Sequence, residues 1–194
     1  MTPPKPPRLE RASREHALRF AREMFLRSER IDMRELAGEL GVGRTTLYRW
    51  VGDRETVIGE VLAALTERTW QIVGAEAAGE GVERGLGVIR AFMEVTSQFP
   101  PLRQFAETEP AVALRVLMTD GQAVNRALRT GFSRALDEAG AGVGPDTIEI
   151  MVQLATALEW TPIVIGEPPA IDRAVTLMRH LVTPAPTSTG RAED

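Results

Sequence analysis

The sequence predicts an all-α protein with a short N-terminal unit of three helices and a larger bundle of about six helices. Apolar residues recur three and four positions apart through most of the chain, and no segment shows the alternation typical of a β-strand. Glycine and proline interrupt this pattern repeatedly, so the helices are short and joined by turns. At 194 residues the chain is long enough for two such units.

Composition excludes several classes of protein. Hydrophobic residues make up 43% of the chain and charged residues 26%, the balance of a folded globular protein. No apolar run reaches the roughly 18 residues of a membrane helix, and the N-terminus lacks the apolar segment of an export signal. Cysteine is absent and there are only two histidines, which disfavours disulfides, thiol nucleophiles and zinc sites. We therefore expect a cytoplasmic protein without metal or cofactor.

Charge is distributed unevenly along the chain. Residues 1–54 hold 12 Lys and Arg against 8 Asp and Glu, a net charge of +4, whereas residues 55–194 hold 11 against 19, a net charge of −8. The acidic total alone would argue against nucleic-acid binding, but a basic unit joined to an acidic one is compatible with it.

The N-terminal unit begins after a proline-rich basic arm. Residues 1–12 have little to bury, so we expect them to be disordered. Ser13 is a plausible N-cap for helix 1, which carries an amphipathic stripe. Asp32 caps a shorter helix 2 that ends at Gly41, where a positive φ allows a tight turn. Residues 44–50 form a third helix, which is too short to be stable unless it packs on its neighbours.

Residues 33–51 have the pattern of a helix-turn-helix. Leu36 and Ala37 lie on the inner face of helix 2, and Ala37 is small where the next helix crosses. Val42 and Leu47 hold helix 3 against helix 2. The polar side chains of helix 3 are then exposed, as they are in a helix that enters the major groove of DNA. Two helices that merely cross inside a bundle are the alternative.

Residues 13–58 resemble the DNA-binding domain of the tetracycline-repressor (TetR) family of bacterial one-component regulators. The residues that carry the resemblance are Ala21, Phe25, Leu36, Ala37, Leu40, Gly41, Val42, Leu47, Tyr48, Arg54 and Glu55. The resemblance implies that residues 13–58 are a helix-turn-helix DNA-binding domain. It also implies that residues 59–183 form an effector-binding and dimerisation domain, with a disordered tail at 184–194.

The resemblance implies DNA contacts for the polar residues of the motif. They are Arg34, Arg44, Thr45, Thr46, Tyr48, Arg49 and Arg54. Arg44, Thr45 and Thr46 would read the groove, and Tyr48 would hydrogen-bond a phosphate. Arg54, where the family usually has a lysine, would hold a phosphate together with the N-terminus of helix 4.

The rest of the chain predicts only helices. Helix 4 starts at Asp53 and leads into the second unit, whose segments are about 82–99, 101–107, 110–118, 120–139, 145–166 and 169–182. The last two segments carry apolar stripes wider than a monomer core needs, which favours a homodimer through these two helices.

Residues 157–169 are similar to the C-terminal domain of a TetR subgroup named for a regulator of quorum-sensing signal degradation (QsdR-like). This similarity implies a small amphipathic effector, such as a lactone signal. Candidate cavity residues are Phe92, Met93, Thr96, Phe105, Met118, Phe132, Glu159 and Trp160, although such side chains are more often plain core. We expect Glu159 to be exposed or paired with an arginine, with a hydrogen bond to an effector as the alternative.

Taken together, these features predict a homodimeric DNA-binding transcriptional regulator. We expect a repressor that binds a pseudo-palindromic double-stranded operator and is released by its effector. The alternatives are a dimeric helical interaction protein that does not read DNA, or an enzyme that uses the second-unit cavity. The enzyme is the weaker of the two, because the sequence has no acid–base pair or cofactor motif.

Overall fold

The computed structural model of the protein describes residues 12–119 and 123–182. These residues form ten α-helices and no β-strand, which confirms the all-α class. The helices are α1 (Arg14–Leu26), α2 (Met33–Glu39), α3 (Arg44–Val51), α4 (Arg54–Ala75), α5 (Gly81–Gln98), α6 (Pro100–Thr108), α7 (Pro110–Met118), α8 (Ala123–Asp137), α9 (Pro145–Val164) and α10 (Ile171–Val182). The predicted arm, apart from Ala12, and the predicted tail lie outside the described residues.

We call residues 13–58 the head and the described residues from 59 onward the body. Three of the four helices that begin in the head, α1, α2 and α4, start at side-chain caps. Ser13 accepts a hydrogen bond from the His16 N–H (3.3 Å), and Asp32 accepts from Arg34 N–H (2.6 Å). Asp53 accepts from the N–H of Thr56 (2.8 Å). The donors that reach the two aspartates lower their pKa values, so these caps stay ionised at neutral pH.

The turn between α2 and α3 has the tight geometry expected of a helix-turn-helix. Gly41 adopts φ +62°, a conformation that favours glycine. The N–H of Val42 returns to the carbonyl of Ala37 (3.0 Å), which closes the end of α2. Leu47 of α3 is fully buried in the head core. These contacts fix the direction in which α3 leaves the turn.

Helix α4 runs unbroken from the head into the body, where it packs along α8. A Cβ at Gly131 of α8 would overlap the indole ring of Trp70, so only glycine permits this close approach. Trp70 stacks on Phe92 of α5 with 3.9 Å between ring centroids and meets Phe132 of α8 edge-on at 5.4 Å. The aromatic cluster therefore ties α4, α5 and α8 together.

Helix α9 lies at the centre of the body, in contact with α5, α6, α7, α8 and α10. It contains Pro162, whose missing N–H leaves the carbonyl of Leu158 without its usual helical donor. The N–H of Ala170 takes that place at 2.9 Å. This bond fastens the connection between α9 and α10 against the end of α9.

Candidate DNA-binding surface and effector cavity

One face of α3 is packed and the other is polar and exposed. Leu47 and Val51 are buried, with 0% and 3% of their surface accessible. Arg44, Thr45 and Arg49 are exposed, as is the ring of Tyr48, while Thr46 is half-buried. The structure thus presents four of these five polar side chains to solvent, on a helix whose orientation is fixed by its apolar face.

The predicted DNA-contacting arginines of α2 and α3 carry unneutralised charge. Arg34, Arg44 and Arg49 are exposed and form no ion pair within the described residues. Gly43, the N-cap of α3, supplies no capping side chain. A short helix with free guanidinium groups and an uncapped N-terminus can bind phosphate and base edges.

Arg54 does not fit the phosphate-binding role that the sequence predicts. Its guanidinium makes a two-pronged ion pair with Glu109 (2.6 and 2.7 Å) and donates through Nε to the carbonyl of Ile31 (2.7 Å). Only 18% of the side chain is accessible. The expectation that Arg54 holds a phosphate is corrected, because Glu109 already neutralises its guanidinium, which is turned toward the body.

The Arg54–Glu109 pair belongs to a polar and aromatic junction between head and body. Phe25 of α1 meets Phe105 of α6 edge-on, with centroids 6.0 Å apart. Arg115 of α7 forms an exposed ion pair with Glu55 (2.7 Å). A cleft of about 340 Å³ opens at this junction. Glu109 could not be identified from the sequence, because its partner Arg54 lies 55 positions away and no neighbouring residue indicates the pairing.

Six of the eight predicted effector residues line one cavity in the body: Phe92, Met93, Thr96, Phe132, Glu159 and Trp160. Phe105 and Met118 do not belong to it, and we correct that expectation. Phe105 faces the junction with α1, and Met118, at the end of α7, is 38% exposed. The cavity measures about 30 Å³, which is room for about two water molecules. An effector larger than that requires its walls to move.

Glu159 lies in this cavity and is not exposed or paired with an arginine, contrary to the expectation. Only 3% of its surface is accessible. The hydroxyl oxygen of Thr96 lies 2.7 Å from its Oε1 atom. Burial raises the pKa of Glu159 to about 8, so the acid is mostly protonated at neutral pH. The cavity thus holds a neutral carboxylic acid within an apolar and aromatic wall.

An apolar surface remains open on the last two helices and just beyond α9. Ile150 of α9 is 52% exposed and Ile165, which follows α9, 65%. Leu177 and Leu181 of α10 are 41% and 42% exposed. Exposed apolar side chains of this size are candidates for contact with another protein.

The described residues offer neither a membrane-spanning helix nor a metal site. No helix there is long and apolar enough to cross a membrane. Within the same residues, no group of three or more acids and histidines is arranged to hold a metal ion.

Comparison with known sequences identifies relatives for most of the chain. Residues 80–183 match the family described as "Tetracyclin repressor-like, C-terminal domain". Uncharacterized HTH-type transcriptional regulators from two strains of Mycobacterium tuberculosis are 31% identical over 135 residues, 65% of this chain. The match spans 58% of the length of those relatives.

Solved structures give the same result. The transcriptional repressor QsdR of R. erythropolis, from the TetR family, is 32% identical with a TM-score of 0.81, over 87% of this chain and 93% of that one. A second solved structure is the TetR family repressor AlkX of Dietzia sp. strain DQ12-45-1b, which is implicated in biodegradation of n-alkanes. It is 17% identical with a TM-score of 0.56, over 86% of this chain and 91% of that one. At this identity the likeness supports the fold alone. The relatives at 31% and 32% identity are transcriptional regulators or repressors, the class that the sequence analysis predicts.

Proposed function

This chain belongs to the tetracycline-repressor family of transcriptional regulators, and we propose that it is a homodimeric repressor released from its operator by a small effector. The exposed cationic face of α3, held by a buried apolar face, is the observation that carries the proposal. Residues 13–58 are the DNA-binding domain and residues 59–183 bind the effector and the second subunit.

Within the head, each exposed side chain has a role that follows from its chemistry. Arg44 and Thr45, at the start of α3, read base edges, with Thr46 beside them. Tyr48, Arg49 and Arg34 bind phosphates, which supplies affinity without sequence preference. Arg54 is excluded from this set, because its guanidinium is occupied by Glu109.

The dimer forms through the open apolar faces of α9 and α10. Ile150 and Leu177 represent the two faces, and both are about half exposed in the single chain, at 52% and 41%. Burial of such side chains between two subunits is favourable by about 25 cal/mol per Å² of apolar surface. A two-fold axis then places two α3 helices on successive turns of a pseudo-palindromic operator, roughly 34 Å apart.

The effector binds in the cavity around Glu159 and Thr96, and it is a lactone signal or a related amphiphile. Because the cavity measures only about 30 Å³ in this conformation, an effector has to displace its walls. The body–head junction then carries the displacement, through Glu109 at the α6–α7 connection to Arg54 on α4. The dimer then has two states, one with the head spacing that fits the operator and one with a different spacing. An effector that binds the second state more tightly lowers operator affinity, and the loss is set by the ratio of its affinities for the two states.

Selection of bound fragments from random genomic DNA tests this proposal. The full chain is expected to enrich fragments that share a two-fold symmetric motif, and a panel of acylated lactones and related amphiphiles is expected to identify a compound that releases them. Absence of any enriched motif at modest salt would contradict DNA reading and favour an interaction protein. An enriched motif that no compound in the panel releases would contradict the assignment of the effector class alone.

A further inference from the structure

We infer that the effector presents an uncharged carbonyl oxygen, as a ketone, ester, lactone or amide does, and that this oxygen accepts a hydrogen bond from the carboxylic acid of Glu159. The inference rests on the proposed function, because it specifies the chemistry of the ligand that the same cavity takes. The position of the acid proton, the absence of an acceptor for it and the composition of the wall support it.

The hydroxyl of Thr96 donates to Oε1 of Glu159. Its Oγ1 atom lies 2.7 Å from Oε1, 2.9 Å from the carbonyl oxygen of Phe92 and 3.3 Å from that of Met93. A threonine hydroxyl has a single proton to share among these acceptors. The two carbonyls already accept backbone N–H groups from four residues further along α5. Oε1 is the nearest of the three and has no other donor among the described residues, so the hydroxyl proton points to it.

Burial keeps the acid protonated. Only 3% of the surface of Glu159 is accessible, and no ion pair to it occurs within the described part of the chain. A carboxylate in such surroundings would be strongly destabilised, and burial raises the pKa of Glu159 to about 8. Because Oε1 accepts from Thr96, the proton of the neutral acid lies on the second carboxyl oxygen, Oε2, which is therefore a donor.

The O–H group at Oε2 is a buried donor without an acceptor. No hydrogen bond involving Oε2 occurs among the residues that the structure describes. Of the other hydroxyls on the wall, Thr156 is bonded to the carbonyl of Val152 (2.8 Å), and Thr66 makes no hydrogen bond to the acid. An unpaired buried donor is unfavourable. A ligand that brings an acceptor oxygen gains this bond, whereas a ligand without one leaves the donor unpaired.

The wall of the cavity favours an uncharged ligand. Among the described residues that line it, Glu159 is the one ionisable side chain, and Phe92, Phe132 and Trp160 supply aromatic surface. A carboxylate ligand would be buried here without a cation. The volume of about 30 Å³ favours a small group next to the acid, because every added carbon has to displace the wall. A carbonyl group meets both conditions.

Two probes of the same shape test the inference on the full chain. Cyclopentanone and methylenecyclopentane differ in carrying C=O or C=CH₂ on the same ring, so only the ketone can accept a hydrogen bond. Calorimetric or NMR titration gives the ratio of the two affinities in the wild type and in Glu159→Met. The solvation of each free probe cancels when the two proteins are compared. We expect the substitution to lower the ratio of ketone to alkene affinity at least about tenfold. An unchanged ratio would overturn the inference.

Two further variants assign the bond to the donor of residue 159. Glu159→Gln keeps an oxygen that accepts from Thr96 and an N–H group that donates, and is expected to retain the wild-type ratio within a few-fold. Thr156→Val is the matched control on the same wall, because it removes a hydroxyl already bonded within α9, and is expected to leave the ratio unchanged. A fall in either variant as large as that in Glu159→Met would overturn the inference.

Infrared difference spectroscopy of bound cyclopentanone reports the hydrogen bond directly, because accepting a hydrogen bond weakens the C=O bond. The carbonyl stretch is expected at a lower frequency in the wild type and in Glu159→Gln than in Glu159→Met. The same frequency in the wild type and in Glu159→Met would overturn the inference.

Charged probes with the same ring test the preference for an uncharged ligand. Cyclopentanecarboxylate and cyclopentylammonium are both expected to bind more weakly than cyclopentanone at neutral pH, and tighter binding of either ion would overturn the inference. Failure of both the ketone and the alkene to bind would overturn the inference together with the effector site of the proposed function. Binding of both with a ratio that does not depend on Glu159 would overturn the inference alone.

Discussion

Removal of the Arg54–Glu109 ion pair is expected to destabilise the protein measurably, because the pair is largely withdrawn from water at the contact between head and body. Both side chains are only 18% exposed, and their two hydrogen bonds are 2.6 and 2.7 Å long. Breaking a fully buried pair costs about 3–5 kcal/mol, and an exposed pair contributes about 0–1 kcal/mol. We therefore expect a coupling energy of about 2 kcal/mol, between these limits.

The two single substitutions are expected to differ. Glu109→Met leaves the guanidinium of Arg54 with the carbonyl of Ile31 as its remaining partner. Arg54→Met leaves Glu109 with Arg30, whose Nε lies 3.6 Å away. Glu109→Met should therefore be the more destabilising change. A loss of about 2 kcal/mol corresponds to a melting temperature about 4–8 °C lower for a chain of this length.

Thermal and urea unfolding of the two single variants and the double variant measure the coupling energy at one fixed protein concentration. The ion pair between Arg179 and Glu83 is the matched control, because it has the same two-pronged geometry (2.8 and 2.8 Å) but its side chains are 43% and 65% exposed. The same cycle on the control should show no measurable coupling. Equal coupling in the two cycles, or none in either, would refute the reasoning from burial.

Three further predictions concern the packing, the dimer and the buried acid. Gly131→Ala places a methyl group against the indole of Trp70, and we expect it to lower the free energy of unfolding by about 1–3 kcal/mol. Gly87→Ala is the control, because its added carbon meets nothing within 4 Å, and it should leave the melting temperature the same or higher. Leu177→Glu is expected to convert the dimer to a monomer in light scattering, while Ile72→Glu, at a residue of α4 that is likewise exposed, should leave it dimeric; a dimeric Leu177→Glu protein would contradict the proposed interface. Because the pKa of Glu159 rises from 4.5 to about 8 on folding, its contribution to stability is complete below pH 4.5 and is lost as the pH rises through 8, at about 1.4 kcal/mol per pH unit. Glu159→Gln should flatten this part of the stability curve measured by urea unfolding, and an unchanged slope would show that the acid is not protonated in the folded state.

Local signals explain why the helices could be predicted from the sequence. Ser13, Asp32 and Asp53 each cap a helix from within three residues, and Gly41 adopts the positive φ that its position required. These features depend on neighbouring residues alone. The exposed polar face of α3 could be predicted for the same reason, since burial of Leu47 fixes which side of the helix faces solvent.

Long-range packing explains what the sequence could not show. Arg54 has the exposed position of a phosphate ligand in the motif, but its side chain pairs with Glu109, a residue of another unit. Phe105 and Met118 have the helical spacing of core residues, but the orientations of α6 and α7 turn them away from the cavity. Glu159 was expected to be exposed or paired with an arginine, and only the packing of α9 against its neighbours reveals a buried, hydroxyl-bonded acid.

The central claim is that α3 reads the major groove. It is tested by measuring how tightly the full chain binds a selected operator fragment and random DNA, with and without the Arg44→Ala substitution. We predict that the wild type prefers the selected fragment and that Arg44→Ala loses about 1–3 kcal/mol of that preference while binding to random DNA changes little. Arg68→Ala, an exposed arginine of α4, should leave the preference intact. A preference that survives Arg44→Ala unchanged, or that Arg68→Ala reduces equally, would contradict the account.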